Sequence, residues 1–264
     1  MSSNLILTEK KDSVLTITLN RPEKRNALNH EMCRDLKKVI EEAAEDRAVR
    51  ILVLRGAGMC FCAGVDFNML AELNAKNPSP PEFRFFLDGL QGVFNAMETL
   101  EKPVIALLHN FCYGMGTELA LAADFRIAAG DLRIGIQEVE LGLIPDVGGS
   151  TRLTRAVGIP MAKEMIMTAR VLDAAEAHHI RLVNEVAPAS ELDAALARWV
   201  EKLRGCAPLA VGTAKMLIDR AAHLDKMTFM KLEGLAQCSL LKTEDVMEGV
   251  AARMQKRKPD FKGK

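Results

Sequence analysis

The sequence has no excess of either charge: 35 basic residues balance 35 acidic ones across 264 positions, for a formal net charge of zero. That absence argues against a general binder of nucleic acid or of anionic membrane, because such proteins need a basic field to release counterions. Long apolar runs are missing too. Stretches such as Val104–Leu108 fall far short of the roughly 20 residues a bilayer-spanning helix needs. The opening MSSNLILTEKKDSV has no basic segment leading into an apolar one, so no secretory leader is expected and a cytoplasmic location is. Among the cysteines Cys33, Cys60, Cys62, Cys112, Cys206 and Cys238 there is no CxxC redox pair. Cys60-Phe61-Cys62 has no downstream partner of zinc-site spacing and reads as buried, reduced thiols. His178 and His179 are adjacent rather than four apart, and no HExxH occurs, so no metal is expected.

What is present is ordinary globular composition, with 49% hydrophobic and 27% charged residues. The length allows one large domain, or one with a smaller appendage. Residues 14–19 (VLTITL) read as a strand closed by Asn20-Arg21-Pro22. Asn29 fits as the N-cap of a helix to about Ala44, with Leu36, Val39, Ile40 and Ala43 on one stripe. Ile51–Leu54 and Val104–Leu108 are continuous apolar runs, as expected of strands buried on both faces. A helix is expected from Asp66 to about Leu73, then a flexible segment at Asn74–Pro81, then a helix carrying Phe83, Phe86, Leu90, Val93, Phe94 and Met97. A further helix runs through Ala123. Phe125–Ala128, Arg133–Ile136 and the apolar run Leu182–Val186 complete the strand candidates. Only helical periodicity follows from Leu192 to Gln255, with breaks near Gly205–Pro208 and Leu224–Asp225. The expected fold class is α/β, with a core over residues 1–191 and a helical region over 192–264 acting as lid or oligomerisation module.

Two glycine turns each follow a buried strand and precede a helix: Phe61-Cys62-Ala63-Gly64-Val65-Asp66 and Gly114-Met115-Gly116-Thr117-Glu118. Unpaired N–H groups at a helix start attract negative charge, and two such turns converging would bind a developing oxyanion. Packing is the competing reading. Neither turn matches a GxGxxG or GxxxxGK[ST] phosphate loop, and Gly148-Gly149-Ser150-Thr151 is not a GxSxG elbow. Glu118 opens an apolar helix, and Glu138 follows in IGIQEVELGLIPDVGG with Glu140 and Asp146 nearby. Glu118 taken alone complements a helix dipole. Gathered in an apolar cleft, such carboxyls acquire the raised pKa values that acid–base chemistry uses.

These motifs, in this order, resemble the crotonase superfamily, the enoyl-CoA hydratase/isomerase family. Leu19-Asn20-Arg21-Pro22 with Asn26-Ala27-Leu28-Asn29 resembles its N-terminal signature, FCAGVDF its FxAGxD turn, and Glu138 through Gly149 its second catalytic segment. The resemblance implies a spiral of ββα units, a helical C-terminal trimerisation region and a trimer or hexamer. It implies an acyl-CoA thioester as substrate, no separate cofactor, and no nucleic-acid or membrane partner. The thioester oxygen would be bound by the N–H groups of Val65 and Met115, and water would be added to a 2-enoyl-CoA between Glu118 and Glu138. Substrate and coenzyme A contacts fall on Lys24, Arg25, Ala27, Ala63, Gly64, Asp66, Phe67 and Gly114, with Phe261 and Lys264 in the basic tail.

Two departures stand out. Met115 replaces a common glycine, and its side chain is expected to narrow or reshape the acyl pocket. Asp146 matches the aspartate that works with a glutamate in dienoyl-CoA isomerases. Double-bond isomerisation through Glu138 and Asp146 is therefore the alternative activity, and a non-catalytic acyl-CoA-binding scaffold the minor one.

Overall fold

A computed structural model describes residues 4–264; the first three positions of the stretch read for a leader lie outside the described residues. The chain opens with a hairpin of β1 (Ile6–Lys11) and β2 (Val14–Leu19). β1 has no apolar face to announce it: after Ile6 every residue is exposed. Its lysines and glutamate are what an unpaired sheet edge needs to avoid adding another chain. Asn29 caps α1 (His30–Glu45), its side chain accepting from the Met32 N–H at 2.9 Å. Then come β3 (Ile51–Gly56), α2 (Phe67–Lys76) and α3 (Pro80–Thr99). The segment expected to be flexible is instead a helix joint. Asn77 terminates α2 in the left-handed region, and Ser79 with Glu82 forms a capping box that starts α3.

β4 (Val104–Leu108), β5 (Phe111–Tyr113), α4 (Met115–Leu121), β6 (Phe125–Ala129) and β7 (Arg133–Gly135) lead to α5 (Gly149–Val157) and α6 (Ile159–Met167). β8 (Val171–Asp173), α7 (Ala174–His179) and β9 (Glu185–Ala187) close the strand-bearing part. β9 sits at the end of the apolar run 182–186, because Leu182 and Val183 bury their side chains in the core outside any strand. Four helices follow: α8 (Leu192–Arg204), α9 (Pro208–Ala221), α10 (Lys226–Leu240) and α11 (Glu244–Met254). The anticipated breaks near 205–208 and 224–225 separate the first three. A third break, at 241–243, was not foreseen.

Six strands form one sheet in the order β1-β2-β3-β4-β6-β9, parallel throughout except for the β1–β2 hairpin. Alternation along the central strands splits the core in two. Leu52, Leu54, Ala106 and Leu108 face the helices α1, α3 and α4, whereas Ile51, Val53, Ile105, Leu107 and Ile127 meet α8 through Ala195, Leu196 and Trp199. A smaller sheet, β5-β7-β8, stands beside α4. Of the cysteines, Cys33, Cys60, Cys62 and Cys112 are buried, whereas Cys206 and Cys238 are exposed. Cys60 and Cys62 lie in a loop rather than a strand.

Two buried cations lock the frame around α4. The Arg126 guanidinium donates to the carbonyls of Ala120 (3.3 Å) and Ala123 (2.8 Å), closing the helix end, and to Leu182 O at 2.7 Å. Lys215, on α9, donates to Met97 O (2.7 Å), Lys102 O (3.2 Å) and the Asp124 carboxylate (2.9 Å). Burial raises the Asp124 carboxyl even though Lys215 pulls it down. Without the cation, folded Asp124 would hold a proton more tightly than the unfolded chain, so stability would rise as pH falls. Lys215→Met should therefore cost about 3–5 kcal/mol at neutral pH. Denaturant titrations should show that deficit shrinking toward pH 5; a pH-independent deficit would contradict the account.

Candidate active site

The Phe61–Asp66 turn is held like a strand between two others. On one side Ala63 N–H donates to Arg25 O (3.0 Å), Leu28 N–H to Gly64 O (2.8 Å) and Asp66 N–H to Leu28 O (2.9 Å). On the other, Phe61 N–H reaches His109 O (3.0 Å), Cys62 N–H reaches Phe111 O (3.1 Å), and Tyr113 N–H reaches Cys62 O (3.0 Å). Leu28 and Val65 form a parallel bridge in which Leu28 bonds to the residues flanking Val65. The N–H of Val65 therefore points away from Leu28, toward the second turn.

That second turn lies in contact. A Cβ on Gly64 (φ +106°) would come within 3.0 Å of Tyr113 O and 3.7 Å of Met115 N, and one on Gly116 would strike Cys62 at 2.8 Å. Gly114 donates its own N–H to Gly135 O at 2.9 Å. Met115 is the first residue of α4, where an N–H has no partner within the helix. The turns that carry the Val65 and Met115 amides thus lie against each other at one corner. The Met115 side chain is 5% exposed and packs within the main core.

The carboxyls converge on this corner. Glu118 is 1% exposed, and its Oε2 accepts from the N–H groups of Val147 (3.2 Å) and Gly149 (2.6 Å). Burial is the main force on its pKa, pushing it up to about 8; the Glu138 charge adds to this, the two amides oppose it, and Asp146 raises it further. Glu138 comes from a short 3-10 turn (Glu138–Leu141) and faces Gly114, where a Cβ would lie 2.9 Å from its Oε1. Its Oε2 is buried without a hydrogen-bond partner, and burial with help from Asp146 raises its pKa too. Asp146 is exposed as a residue, yet its carboxyl is screened enough by the walls to be raised as well. Three neighbouring acids with elevated pKa values are the kind of group that proton transfer uses, which makes them the candidate site. Glu140, by contrast, is exposed.

The other candidates are more dispersed. Lys24 and Arg25 are exposed on the loop whose Arg25 carbonyl receives Ala63 N–H. Ala27, Ala63 and Gly64 belong to the paired turn itself, and Phe67 stands 65% exposed at its end. The Asp66 carboxylate is already engaged: it caps α2 through Asn68 N–H (2.8 Å) and pairs with Arg21. Phe261 and Lys264 lie elsewhere within this chain. Phe261 O accepts from Arg50, and Lys264 O from Asp245 N–H. Arg50 precedes β3 whereas the first turn follows it, so the length of that strand, roughly 20 Å, separates them. Sequence reasoning missed the Val147 and Gly149 amides, which no side-chain letter encodes, and Asn26. Asn26 is 0% exposed and left-handed (φ 55°), and its amide lies within 2.8–3.2 Å of the carbonyls of Ala57, Cys60 and Phe61. Its signal was its place in the Asn26-Ala27-Leu28-Asn29 signature, three residues before the helix cap.

Because Glu118 binds its proton more tightly folded than unfolded, its contribution to stability is complete below its ordinary value of 4.5 and is lost as pH rises through about 8. Glu118→Gln removes that titration. Relative to the native protein, the variant should gain about 4–8 °C in Tm between pH 5 and pH 9 in scanning calorimetry. Parallel curves for the two proteins would refute the raised pKa.

Similarity to known proteins identifies the family. The family model described as enoyl-CoA hydratase/isomerase matches residues 9–264. The short-chain-enoyl-CoA hydratase of Clostridium acetobutylicum is 39% identical, over 98% of this chain and 97% of its own length. The crotonyl-CoA hydratase of Syntrophomonas wolfei is 36% identical over 99% of each chain. The crystal structure of enoyl-CoA hydratase from Bacillus anthracis superposes with a TM-score of 0.92 at 33% identity, covering 99% of this chain and all of that one. The fold is accordingly the crotonase fold, a mixed α/β core with a parallel-rich sheet and a helical C-terminal region. By sequence and by structure, this chain belongs to the enoyl-CoA hydratase/isomerase family.

Proposed function

We infer that the protein is an enoyl-CoA hydratase, adding water across the double bond of a 2-enoyl-CoA to give a 3-hydroxyacyl-CoA. The observation that carries this reading is the pair of carboxyls of buried Glu118 and half-buried Glu138, both raised in pKa, beside two converging backbone amides. The thioester oxygen accepts from Val65 and Met115, which stabilise the enolate-like charge as it develops. One donor of this type is worth about 10²–10³ in rate. Water lies between the glutamates: its oxygen attacks C3, one carboxylate takes its proton, and the other carboxyl delivers a proton to C2. Which glutamate holds which proton is a property of the coupled pair.

The cavity of about 270 Å³ between α1, α2 and α3, walled by Met69, Leu73 and Phe86, is the proposed seat of the acyl chain. Lys24 and Arg25 are the proposed phosphate contacts of coenzyme A, with Ala27, Ala63, Gly64, Phe67 and Gly114 shaping the path between. Phe261 and Lys264 of the tail serve this role only across a subunit boundary, given their place in this chain. Apolar side chains exposed on α9–α11, among them Ile218, Met230, Leu235, Met247 and Met254, support self-association as a trimer or hexamer. Coenzyme A enters as part of the substrate and no separate cofactor is required. Cytoplasmic acyl-CoA catabolism is the proposed setting. Among the described residues no helix is long and apolar enough to cross a membrane.

Asp146 favours one second reading, double-bond isomerisation, because its charge acts on both glutamates. Incubating the pure protein with 2-enoyl-, 3-enoyl- and 3,5-dienoyl-CoA and weighing the products separates the two. A gain of one water from the 2-enoyl ester is the expected result; an unchanged mass with a shifted chromophore would mark an isomerase instead. Glu138→Gln should lower hydration by about 10²-fold or more while leaving CoA-ester binding intact by calorimetry. Normal turnover in that variant would remove Glu138 from the chemistry.

A further inference from the structure

Glu118 is held by the main chain at 147–149, and something must hold that main chain. Oε2 accepts from the N–H groups of Val147 and Gly149, on peptide units that flank the Val147–Gly148 peptide. The carbonyl of that intervening peptide turns to the opposite side and accepts from Arg152 Nη1 at 2.6 Å. Arg152 is itself fixed on α3. Its Nε and Nη2 grip both oxygens of Glu98 at 2.8 Å, and Nη2 also donates to Asn95 Oδ1 at 2.9 Å. One turn further back on the same helix, Gln91 Nε2 donates to Asp146 O at 2.7 Å. Gly148 (φ +103°) lets the guanidinium lie against the backbone, since a Cβ there would overlap Nη1 at 2.1 Å.

We propose that Arg152, clamped by Glu98 and Asn95, is the positioning residue of the catalytic site: by holding the Val147 carbonyl outward, it aims the amides of Val147 and Gly149 at Glu118. The planar fork is what fits it to this task. It reaches two carboxylate oxygens, a side-chain amide and a carbonyl at once, which an ammonium cannot do. Arg152 touches none of the reacting groups, so its action runs through the turn. The proposal rests on the hydratase reading for its kinetic test and stands apart from it for its structural one.

Releasing the turn weakens two hydrogen bonds to the ionised form of Glu118, which shifts its titration to higher pH. The charged groups facing Glu118, namely Glu138 and Asp146, are unchanged by substitution on α3. A direct effect of the Arg152 charge must be separated from an effect of position, and Glu98→Ala separates them by sign. Freed of its counter-ion, Arg152 would pull the Glu118 pKa down if charge alone mattered. If clamping matters, the loosened turn moves it up. A cavity of about 310 Å³ borders Gln91, Asn95, Glu98 and Arg152, so shorter side chains fit there without overpacking.

The experiment compares native protein, Glu98→Ala and Arg152→Lys on crotonyl-CoA. With the clamp acting as proposed, kcat falls about tenfold or more with KM changed less than about threefold, and the pH limb assigned to Glu118 moves upward by about half a pH or more in both variants. The same titration is read without substrate, by carboxyl infrared difference spectra against Glu118→Gln. A downward move in Glu98→Ala, a native pH limb in Arg152→Lys, or a loss of rate with no move in either would overturn the proposal. If the native protein fails to hydrate crotonyl-CoA, the hydratase reading falls, while the infrared titration still decides the role of Arg152. Because Glu98 is partly exposed on a helix, its alanine variant keeps the test available should the Arg152 variant fail to fold.

Discussion

The corner where the two glycine turns meet depends on one arrangement of backbone hydrogen bonds: residues 61–66 are paired on one edge with 25–28 and on the other with 109–113. Neither neighbour is a long strand, and each contributes only a few bonds. The first of them engages the Gly64 carbonyl and the Asp66 N–H on either side of Val65 and leaves the amide of Val65 itself pointing away from Leu28. Removing this three-ply pairing would let the first turn relax like any surface loop, and its amide would no longer be held against the second turn. Asn26 reinforces it from within by satisfying carbonyls that the loop would otherwise bury unpaired. Gly64 and Gly116 permit the two turns to touch.

Upon this frame the electrostatics are a contest that desolvation wins. Glu118 receives two backbone donors, an arrangement that by itself would lower a carboxyl pKa. Its burial and the neighbouring acids more than offset them, and the value settles near 8. Glu138 lacks a partner for one buried oxygen, a condition that folded proteins rarely tolerate and that recurs at functional sites. The cost is carried by the rest of the core: continuous strands packed on both faces, and the buried cations Arg126 and Lys215 that tie α4 and α9 to the carbonyls around them.

Legibility in the sequence followed burial. β2 and β4 have the boundaries read from their apolar runs, and the Asn29 cap is where its spacing puts it. β1 escaped notice because an edge strand needs no apolar face, and β8 because three residues carry no period. The 74–81 stretch misled for a definite reason: asparagine, serine and proline mark flexible chain, but they also end and begin helices, and here they do the latter. In the site, Glu118 and Glu138 could be named because motifs carry them. The groups that position them are largely peptide amides and a clamp formed by residues 54 to 57 positions apart, and such partners meet only through the fold.

Gly149 has an ordinary negative φ, so its backbone alone would accept any L-residue. What forbids a side chain is Glu118, whose Oε2 would lie 2.6 Å from an added Cβ. The glycine and the glutamate are therefore a single heritable unit. Any side chain at residue 149 requires the side chain at 118 to shift or to be shorter. Change at either position is therefore tied to change at the other through this one contact.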